Sequence, residues 1–560
     1  MTQPTAASQN PPNILGISAG SHDAAAALLA GSQLIAALEE EKLARARRAR
    51  GLPVRAISYC LEAGRLRPEK IDYVALARPL RGGPGAEQRG EAWIPRRLKE
   101  DFPAAKIVVF DHHLCHAAAA FYPSPFEDAM VLTLDETGDL QTASLSAAHG
   151  IELSALEESY FPDSMGSLYS RVTALAGFSP GGDEHKLQWL SSWGHPVYAP
   201  IFRRILGVET GGLLRLDQRY FRGGPDENGG FSETFFQEAG LTPAEAVTEE
   251  CCANLAASIQ QAVEDTVLEI GKQAVALRTV RNLCLGGGMA LNSMLVERME
   301  NAGLFEKVFV QPAAGNAGNA LGAALYCAHG LLRWEVRTPM EHLFCGPEYD
   351  DDAVKEVLDN CKLRYRYLPK RDDLIQAAVT VLRQDQILGW FEARAEFGPR
   401  ALGARSILAS PLGRYVNENL NQYVKHREKF RPFAASVTEE RAGEFFEFFP
   451  TARFLASVGR VKPAHRDTFA SNLLPDRPTE AGEPAADPSR IRVHVVEKKS
   501  HPLFWALLDS FGKATGVPVL FNTSFNLFGE PLVCSPRDAV RSFYCSGLDH
   551  LMIGHFSISK

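Results

Sequence analysis

The sequence lacks the features of a secreted or zinc-stabilised protein. Its 560 residues include ten cysteines, with no C-x-x-C pair and no regular spacing, so we expect neither a disulfide framework nor a zinc ribbon. The polar stretch Met1–Asn13 lacks the basic and apolar regions of a secretion signal. The alanine-rich run Ala24–Ala30 is too short to span a bilayer. We therefore expect a cytoplasmic protein that does not associate with membranes.

An excess of positive charge is also absent. Lys and Arg number 59 against 67 Asp and Glu, which gives a formal net charge of −8. Nucleic-acid-binding proteins carry a basic footprint, so we expect no nucleic-acid partner. The negative charge is compatible with a cationic small substrate and equally with plain solubility. With 45% hydrophobic and 22% charged residues, the composition is that of a globular protein long enough for two to four domains.

A similar pattern occurs twice, in Ile14–Glu40 and in Met130–Glu158. Each copy has an apolar strand, a polar turn with glycine, a second apolar strand, a tight turn and a third strand that ends in Leu-Glu-Glu, which predicts an antiparallel meander. Apolar strands at Asp72–Ala77 and Lys106–Phe110 follow the first copy. A repeated meander followed by α/β units is typical of the actin/sugar-kinase superfold, whose two halves face each other across a nucleotide cleft. The alternative is two unrelated meanders.

A domain boundary is predicted near Thr338–Asp352, where proline, glycine and acidic residues collect after the long helical stretch Glu249–Leu277 and its α/β unit. We therefore divide the chain into residues 1–340, a duplicated actin/sugar-kinase-like domain, and residues 341–560, a second α/β domain. Predicted strands of the second domain include Ile387–Phe391 and Val519–Phe521. Between them, Lys462–Arg490 is rich in Pro, Ala, Asp and Arg, which predicts a loop or lid rather than a core element.

The stretch HHLCHAAAAF predicts a pair of metal ligands. His112 and His116 are four residues apart and lie on one face of the predicted helix. Asp135 ends the first strand of the second meander, where an actin-type cleft places its carboxylates. Two histidines and one carboxylate suit Fe(II), and the ligand types leave Zn open. The alternative is that these histidines only cap and pack a helix start.

Two glycine-rich turns between strand and helix lie in the second half. In LCLGGGMALN, which ends at Asn292, Gly286, Gly287 and Gly288 would let the backbone approach a phosphate or a nucleoside, and the following helix N-terminus favours negative charge. The second turn, PAAGNAGNALGAA, contains Asn316. Either turn alone is more often an ordinary tight turn, whereas the pair favours a nucleotide cleft.

Cations and neutral hydrogen-bonding residues collect in the last third of the chain. They are Arg400, Arg405 and Ser406 in EFGPRALGARSIL, Lys425, Arg427 and Arg431 in KHREKFR, and Asn522, Thr523, Ser524 and Asn526 at the end of an apolar strand. Arginine binds phosphate through a fork of N–H groups, and lysine binds it as a point charge. Each group alone is more often surface or turn. Together they predict a site for a compact anion and a nucleotide.

Ten motifs occur in an order that matches one family. They are ILGIS…HDAAAALL, EEEK, DHHLCHAAAAF, LTLDETGD, GGDEHK, LGGGMALN, PAAGNAGNALGAA, EFGPRALGARSIL, KHRE…FRPFA and NTSFNLFGEPLVCSP. On these motifs the sequence resembles, from Ile14 to Gly554, the carbamoyltransferase family that includes NodU, CmcH and TobZ. The resemblance implies a TsaD-like N-terminal domain, related to the enzyme that transfers threonylcarbamoyl to tRNA, and a YrdC-like C-terminal domain.

The implied activity is that of an ATP-dependent O-carbamoyltransferase with two steps. In the C-terminal domain, carbamoyl phosphate and ATP, the latter with Mg²⁺, would give carbamoyl adenylate. In the N-terminal domain, a hydroxyl of a small natural product would take the carbamoyl group, and AMP would leave. Adenylation is a reasonable first step because carbamate is a poor electrophile, and a buried site would protect the mixed anhydride from water.

The resemblance also implies roles for named residues. Those implied as catalytic are His22, as the general base for the acceptor hydroxyl, and Arg400, Lys425 and Arg427. Those implied to bind carbamoyl phosphate and ATP are these three cations with Arg405, Ser406, Arg431, Asn522, Thr523, Ser524 and Asn526. Nucleotide binding in the N-terminal domain is implied for Gly286, Gly287, Gly288, Asn292 and Asn316. His112, His116 and Asp135 would hold Fe(II) or another divalent metal. The family often has an aspartate as a fourth ligand where this chain has Asn316, which is neutral and a weaker ligand.

Two alternative functions remain open. Threonylcarbamoyl-type transfer to tRNA needs a basic face, which the net charge of −8 does not promise, and the related hydrogenase-maturation proteins carry cysteine-rich zinc fingers. A nucleotide-binding scaffold without catalysis is the other alternative, against which stand His22, Arg400, Lys425 and Asn526. The identity of the acceptor and the formation of a homodimer are left open.

Overall fold

The computed structural model describes residues 11–19, 22–78, 93–208, 213–223, 230–278, 280–474, 489–527 and 529–560. Within these ranges the strands form three large mixed sheets and one two-stranded ribbon, with helices packed on the sheets. The predicted α/β class is confirmed. None of the helices in these ranges combines the length and apolarity needed to cross a membrane.

The first sheet contains the first predicted meander. The elements of this region are β1 (Asn13–Ser18), β2 (Ala25–Ala30), β3 (Gln33–Glu39), α1 (Glu40–Ala44), α2 (Val54–Ala63), β4 (Tyr73–Ala77), α3 (Trp93–Asp101), β5 (Lys106–Phe110) and α4 (His112–Phe121). Strands β1, β2 and β3 pair antiparallel, whereas β4 and β5 extend the sheet parallel to β1. The strand order is therefore β3-β2-β1-β4-β5.

The second sheet repeats this topology. The elements of this region are β6 (Asp128–Gly138), β7 (Gln141–His149), β8 (Glu152–Tyr160), α5 (Met165–Leu175), α6 (Glu184–Leu190), α7 (Ala199–Ile205), β9 (Leu206–Gly207), β10 (Arg215–Leu216), α8 (Glu233–Ala239), α9 (Glu249–Leu277), β11 (Asn282–Gly286), α10 (Ser293–Asn301), β12 (Lys307–Val310) and α11 (Gly318–Tyr326). The order β8-β7-β6-β11-β12 corresponds strand by strand to that of the first sheet. The predicted actin/sugar-kinase-like duplication is confirmed.

Two alanine-rich helices, α4 and α11, pack against each other between the sheets. The contact is close because Gly322 has no side chain, and a Cβ there would lie 1.9 Å from the carbonyl oxygen of Cys115. Their small side chains let the two backbones approach, so the start of each helix reaches the cleft between the halves. This packing positions the residues that form the candidate site.

The third sheet has ten strands in the order β13-β22-β21-β14-β15-β20-β16-β19-β18-β17. The elements are α12 (Asp351–Asn360), β13 (Arg366–Tyr367), α13 (Arg371–Arg383), β14 (Leu388–Phe391), β15 (Arg405–Ala409), α14 (Val416–Glu418), β16 (Ala434–Thr438), α15 (Glu439–Phe445), β17 (Phe446–Glu447), β18 (Gly459–Val461), α16 (Arg466–Phe469), β19 (Arg490–Val496), α17 (Pro502–Thr515), β20 (Val519–Ser524), α18 (Pro536–Tyr544), β21 (His550–Ile553) and β22 (Phe556–Ser559). The predicted second α/β unit is therefore present, and its likeness to YrdC stays a prediction.

Successive side chains along the central strands of this third sheet point alternately to its two faces. In β19, Ile491 and Val493 join the apolar core on one face, so Arg492 and His494 point to the other face. That second face is apolar where α13 and α17 cover it and polar elsewhere. We call the polar part, which carries Arg492, His494, Ser436, Asn522, Ser524 and Ser406, the polar sheet face.

The predicted loop Lys462–Arg490 differs from expectation in its first part. Phe469, on α16, is fully buried in the core of the third sheet, and Asn472 Oδ1 accepts a hydrogen bond from the Phe433 amide at 2.9 Å. The prediction that this part is not a core element is therefore wrong. Residues 475–488 of the predicted lid lie outside the described residues, and its last residue, Arg490, is the buried start of β19.

Candidate functional site

Three predicted metal ligands converge in the cleft of the duplicated domain. The Nε2 atoms of His112 and His116 lie 3.0 Å apart, and they lie 3.2 and 2.9 Å from Asp135 Oδ2. Ligand atoms about 2.1 Å from a divalent ion are separated by about 3 Å, so these three atoms are spaced to share one cation. Both imidazoles are buried. The donor set fits a divalent metal.

Backbone geometry brings the glycine-rich turn against this cluster. Gly287 has φ +84°, and a Cβ there would lie 2.2 Å from the carbonyl oxygen of Leu134, the residue before Asp135. A side chain would therefore clash with β6, and the positive φ independently favours glycine. The turn 286–288 thus forms a wall beside Asp135, as a nucleotide site requires.

The charges of the cluster suit metal binding. Burial acts to raise the pKa of Asp135, but the hydrogen bonds from both imidazoles outweigh it and hold that pKa well below its usual range. Burial and the neighbouring His112 lower the pKa of His116. An ionised carboxylate and a neutral imidazole are the forms that bind metals; burial acts to lower the pKa of His112, but the contact with Asp135 raises it, so a metal would compete with a proton there. His113 instead contacts Thr133 at 2.7 Å, and burial lowers its pKa to about 3, so it serves the fold.

Asn316, just before α11, and Asn319, in its first turn, contact different histidine side chains. Asn319 Nδ2 lies 3.3 Å from His112 Nδ1 and 3.2 Å from His116 Nε2. Asn316 Nδ2 lies 3.4 Å from both ring nitrogens of His22. Asn319 was missed in the sequence, although its place one helical turn after Asn316 in GNAGNALG was a usable signal. Metal binding by Asn316 stays a prediction.

His22 faces this cleft from the first half of the domain. Its Nδ1 lies 2.8 Å from Asp23 Oδ2. A carboxylate that accepts the Nδ1 proton leaves Nε2 as the proton acceptor, the arrangement of a general base. Burial raises the pKa of Glu136, and His22 is among the charges that oppose this rise, so His22 lies within electrostatic range of the strand end at Asp135. Asp23, its neighbour in the sequence, was not singled out.

At the predicted nucleotide site, the side chain of Asn292 makes hydrogen bonds that stabilise the fold. It caps α10, because its Oδ1 accepts from the amides of Met294 and Leu295 at 3.2 and 3.1 Å, and its Nδ2 donates to Gln260 at 2.8 Å. Gln260, Met294 and Glu264 line a cavity of about 170 Å³. Asn292 therefore contacts this cavity only through its neighbours Gln260 and Met294, and its direct contact with nucleotide stays a prediction.

A group of basic side chains gathers where the polar sheet face meets the duplicated domain. We call it the basic seam: Arg47, Arg400, Lys425, Arg427, Arg431 and Arg492. Burial, and then the charges of Arg427, Arg431 and Arg47, hold the pKa of Lys425 well below its usual range. Burial and three other members of the seam do the same for Arg492. Like charges held close together are unfavourable unless an anion binds among them, so the seam is suited to an anionic ligand, and the anion site itself stays a prediction.

Some residues of this region were not predicted from the sequence. Arg47 comes from the duplicated domain. Burial contributes most to the lowered pKa of the half-buried His185, and the charges of Arg431 and Arg47 lower it further. Lys186, in the same GGDEHK motif, forms an ion pair with Glu428 at 3.0 Å. Arg492 had a usable signal in the alternating pattern of RIRVHVV. Residues of the N-terminal domain therefore lie beside the predicted anion site of the C-terminal domain.

Lys425 links the segment KHREKFR to the end of β20 through hydrogen bonds. Its Nζ donates to the main-chain oxygens of Ser524 and Asn526 at 2.9 and 2.7 Å, and the Ser524 hydroxyl donates to Asn526 Oδ1 at 2.8 Å. Arg427 Nε donates to Asn421 at 2.7 Å. No acceptor among the described residues reaches the buried Arg427 Nη2. Arg427 therefore keeps a donor for a ligand.

Arg400 crosses from one domain to the other. Its Nη2 donates to the Leu291 carbonyl at 2.8 Å and to the Ser293 hydroxyl at 3.0 Å, next to the glycine-rich turn. Burial lowers its pKa to about 10. Arg400 therefore links the basic seam to the nucleotide side of the duplicated domain.

The side chains of three other predicted site residues contact the protein itself or point away from the polar sheet face. Arg405 donates to the carbonyls of Glu392, Ala393 and Pro347 at 2.8 to 3.0 Å, so phosphate binding by Arg405 would require these bonds to break. Ser406 Oγ accepts from Gly403 N at 3.1 Å. Thr523 pairs with Ile407 and points away from the polar sheet face.

A duplicated cleft with a His–His–Asp cluster, joined by a basic seam to a second α/β domain, defines a two-domain group-transfer protein. Two family models match the chain: "Carbamoyltransferase N-terminus" over residues 13–79 and 91–325, and "Carbamoyltransferase C-terminus" over 379–560. The chain belongs to the carbamoyltransferase family, and the predicted resemblance is confirmed.

The relatives agree with this assignment. "Nodulation protein NolNO" of Sinorhizobium fredii is 33% identical over 96% of this chain and 79% of its own length. "3'-hydroxymethylcephem-O-carbamoyltransferase" of Amycolatopsis lactamdurans is 25% identical over 95% of this chain and 96% of its own length. An uncharacterized protein of Synechocystis is 33% identical over 98% of this chain and 97% of its own length. The chain is therefore a transferase of carbamoyl groups.

Proposed function

We propose that this protein is an ATP-dependent O-carbamoyltransferase that uses carbamoyl phosphate and modifies a hydroxyl of a small natural product. The observation that carries the proposal is the junction itself, where the basic seam lies between the polar sheet face and the cleft that holds His22. A phosphate-bearing intermediate formed on the sheet face would remain among the same cations as it approaches His22. The printed activity of the cephem relative supports O-carbamoylation of a small molecule.

In the first step, water attacks carbamoyl phosphate and inorganic phosphate leaves. An oxygen of the resulting carbamate attacks the α-phosphorus of ATP, and pyrophosphate leaves. Lys425, Arg427 and Arg400 offset the negative charge that develops on the phosphates. Because these cations are already buried and fixed, they need little reorganisation as the charge develops. Ser524 and Asn526 orient the ligand beside them.

In the second step, the acceptor oxygen attacks the carbamoyl carbon and the bond from that carbon to the AMP oxygen breaks. His22 Nε2 takes the hydroxyl proton, and Asp23 holds the imidazole in the required tautomer. His112, His116 and Asp135 would hold a divalent metal, Fe(II) by the family resemblance. When bound, the metal supplies positive charge for the adenylate phosphate.

The net charge of −8 favours a small acceptor over tRNA, since a tRNA-binding face would be basic. Product analysis separates the alternatives. The full chain, with ATP and carbamoyl phosphate, should release pyrophosphate, and hydrolysis of the adenylate in the absence of an acceptor should release AMP; both should need carbamoyl phosphate. Release of AMP only with threonine, bicarbonate and tRNA would support the threonylcarbamoyl alternative. Nucleotide binding with no AMP release under either condition would support a scaffold.

A further inference from the structure

A buried carboxamide that is not among the predicted ligands faces the His–His–Asp cluster. It belongs to Asn319, a fully buried residue in the first turn of α11. Its Nδ2 lies 3.2 Å from His116 Nε2 and 3.3 Å from His112 Nδ1. Its Oδ1 has no donor among the described residues. A buried amide oxygen without a partner is unfavourable, so Asn319 holds an unused ligand atom beside the cluster.

The packing of α11 on α4 determines how close Asn319 comes to the histidines. Gly322, one turn later on α11, lies against both Cys115 and Ala119 of α4, and a Cβ on Gly322 would be 1.9 Å from the Cys115 carbonyl oxygen and 3.1 Å from the Ala119 Cβ. The two helices therefore run side by side with their first turns together. This arrangement places the Asn319 side chain against the first turn of α4, which carries the two ligand histidines.

The Arg78 carbonyl determines which nitrogen of His112 carries the proton. A carbonyl oxygen accepts hydrogen bonds and cannot donate one, so His112 Nδ1, 2.8 Å from the Arg78 oxygen, must be protonated. His112 Nε2 then has the lone pair that binds a cation. A protonated Nδ1 cannot accept from the NH₂ group of Asn319, and the contact between them becomes a hydrogen bond only when Asn319 Oδ1 faces it.

A half-turn of the Asn319 carboxamide about its Cβ–Cγ bond exchanges its two ends. Oδ1 then takes the present place of Nδ2, 3.2 Å from His116 Nε2. Two atoms that are each about 2.1 Å from one ion are separated by about 3 Å, so this spacing suits a shared cation. Once a cation takes the lone pair of His116 Nε2, the NH₂ group can no longer donate to it. The half-turn therefore costs no hydrogen bond, and it gains one from His112 Nδ1.

Asn316, which occupies the position of the family's fourth ligand, is directed at a different group. Its Nδ2 lies 3.4 Å from both ring nitrogens of His22. Within the described ranges, none of its side-chain hydrogen bonds reaches His112, His116 or Asp135. The two asparagines of GNAGNALG therefore face different parts of the cleft, with Asn316 beside the proposed general base and Asn319 beside the metal ligands.

We propose that Asn319 Oδ1, and not Asn316, is the fourth ligand of the divalent metal in this chain, an inference that rests on the metal site of the proposed function. The ligands would be two imidazoles, one carboxylate and one neutral amide oxygen, a set that suits Fe(II) or Zn. A divalent ion beside one carboxylate keeps one net positive charge, whereas the second carboxylate common in the family would neutralise it. The centre of this chain would therefore attract an anion, such as the adenylate phosphate, more strongly.

Titration of the chelator-treated full chain with Co(II), followed by visible absorption, tests the proposal without turnover. Asn319→Leu keeps the shape of the side chain but removes its oxygen, and it should weaken Co(II) binding by at least about 10-fold. Asn319→Asp should tighten binding and change the absorption spectrum, because a carboxylate would replace an amide on the ion itself. A residue that only positioned the imidazoles would leave the spectrum unchanged. Asn316→Ala is the control and should bind Co(II) as the wild type does.

Wild-type affinity in a folded Asn319→Leu variant would overturn the proposal. An equal loss in Asn316→Ala would do so too, because it would return the fourth ligand to the family position. If Asn319→Leu does not fold, a wild-type spectrum in Asn319→Asp rejects the direct bond, and so does a wild type that binds no Co(II). The proposed reaction fails separately, since pyrophosphate release from ATP with carbamoyl phosphate reports the first step, which takes place on the other domain.

Discussion

Arg490 and Glu297 form a buried ion pair across the junction of the two domains, with Nη2 of the arginine 2.5 Å from the carboxylate. The two side chains are 1% and 7% exposed. Glu297 lies on α10, one turn after Ser293, which accepts a hydrogen bond from Arg400. One helix of the duplicated domain is therefore fixed at two points to the other domain.

Glu297→Ala should destabilise the whole chain. It leaves the Arg490 charge buried without its partner, and such a loss costs about 3–5 kcal/mol in the free energy of unfolding. Urea unfolding of the full chain measures it. The control is Lys355→Ala, which breaks an exposed pair with Asp359 and should cost about 1 kcal/mol or less. Equal midpoints for Glu297→Ala and the wild type would show that the pair does not stabilise the junction.

Glu300, on the same helix, should make stability depend on pH. Burial raises its pKa to about 7, although hydrogen bonds from Thr451 and Ser457 act to lower it. The unfolded value is near 4.5. Because folding raises this pKa, protonated Glu300 contributes to the stability of the folded state below pH 4.5. That contribution is lost as the pH rises toward 7 and the buried carboxyl ionises.

The variant Glu300→Gln carries no titrating group, so it should not lose stability in this pH range. Thermal unfolding should therefore give Glu300→Gln a higher Tm than the wild type at pH 8 and a nearly equal Tm at pH 5. A difference of the same size at both pH values would rule out titration of Glu300 as the cause.

Replacing Arg427 should abolish most of the first step. Arg427→Ala removes a buried charged donor to the anion, which costs about 2–5 kcal/mol, or roughly 30-fold to several thousandfold in AMP formation with carbamoyl phosphate. AMP release at sub-saturating substrate is the measurement. Arg441→Ala, which breaks a pair with Glu444 on the surface, is the matched control. Wild-type activity in Arg427→Ala would remove Arg427 from the anion site.

His22→Ala should separate the two steps. Adenylate formation takes place on the other domain and should continue, whereas transfer to the acceptor should fall by about 10²–10⁴-fold, the usual contribution of a positioned general base. Pyrophosphate released in the first turnover, which reports adenylate formation, and carbamoylated product are measured in the same reaction. An equal loss of both would assign His22 to the first step or to the fold.

Replacing His116 should remove the metal. His116→Ala takes away one of three converging ligand atoms and should lower the metal content of the purified protein, measured by elemental analysis. The first step should be spared. His113→Ala is the control, because His113 lies on the same helix but bonds Thr133 and the Gln141 carbonyl instead. Equal metal content in both variants and the wild type would reject the cluster as the metal site.

Local patterns in the sequence predicted the repeated meander and the three residues of the His–His–Asp cluster. The repeated meander follows from local alternation and turns, which is why two sheets of the same topology could be predicted from Ile14–Glu40 and Met130–Glu158. The helical spacing of His112 and His116 placed both imidazoles on one face, and Asp135 followed from its position at a strand end. These are short-range properties of the chain.

The tertiary structure decided which residues share a site. Arg47 and Arg492 are far apart in sequence, and only the docking of the domains brings both into the basic seam. The sequence could not distinguish Arg405 from Arg427, because a guanidinium that binds carbonyls and one that keeps a donor for a ligand look the same in a motif. Burial and hydrogen-bond partners make that distinction, and both depend on how distant segments pack.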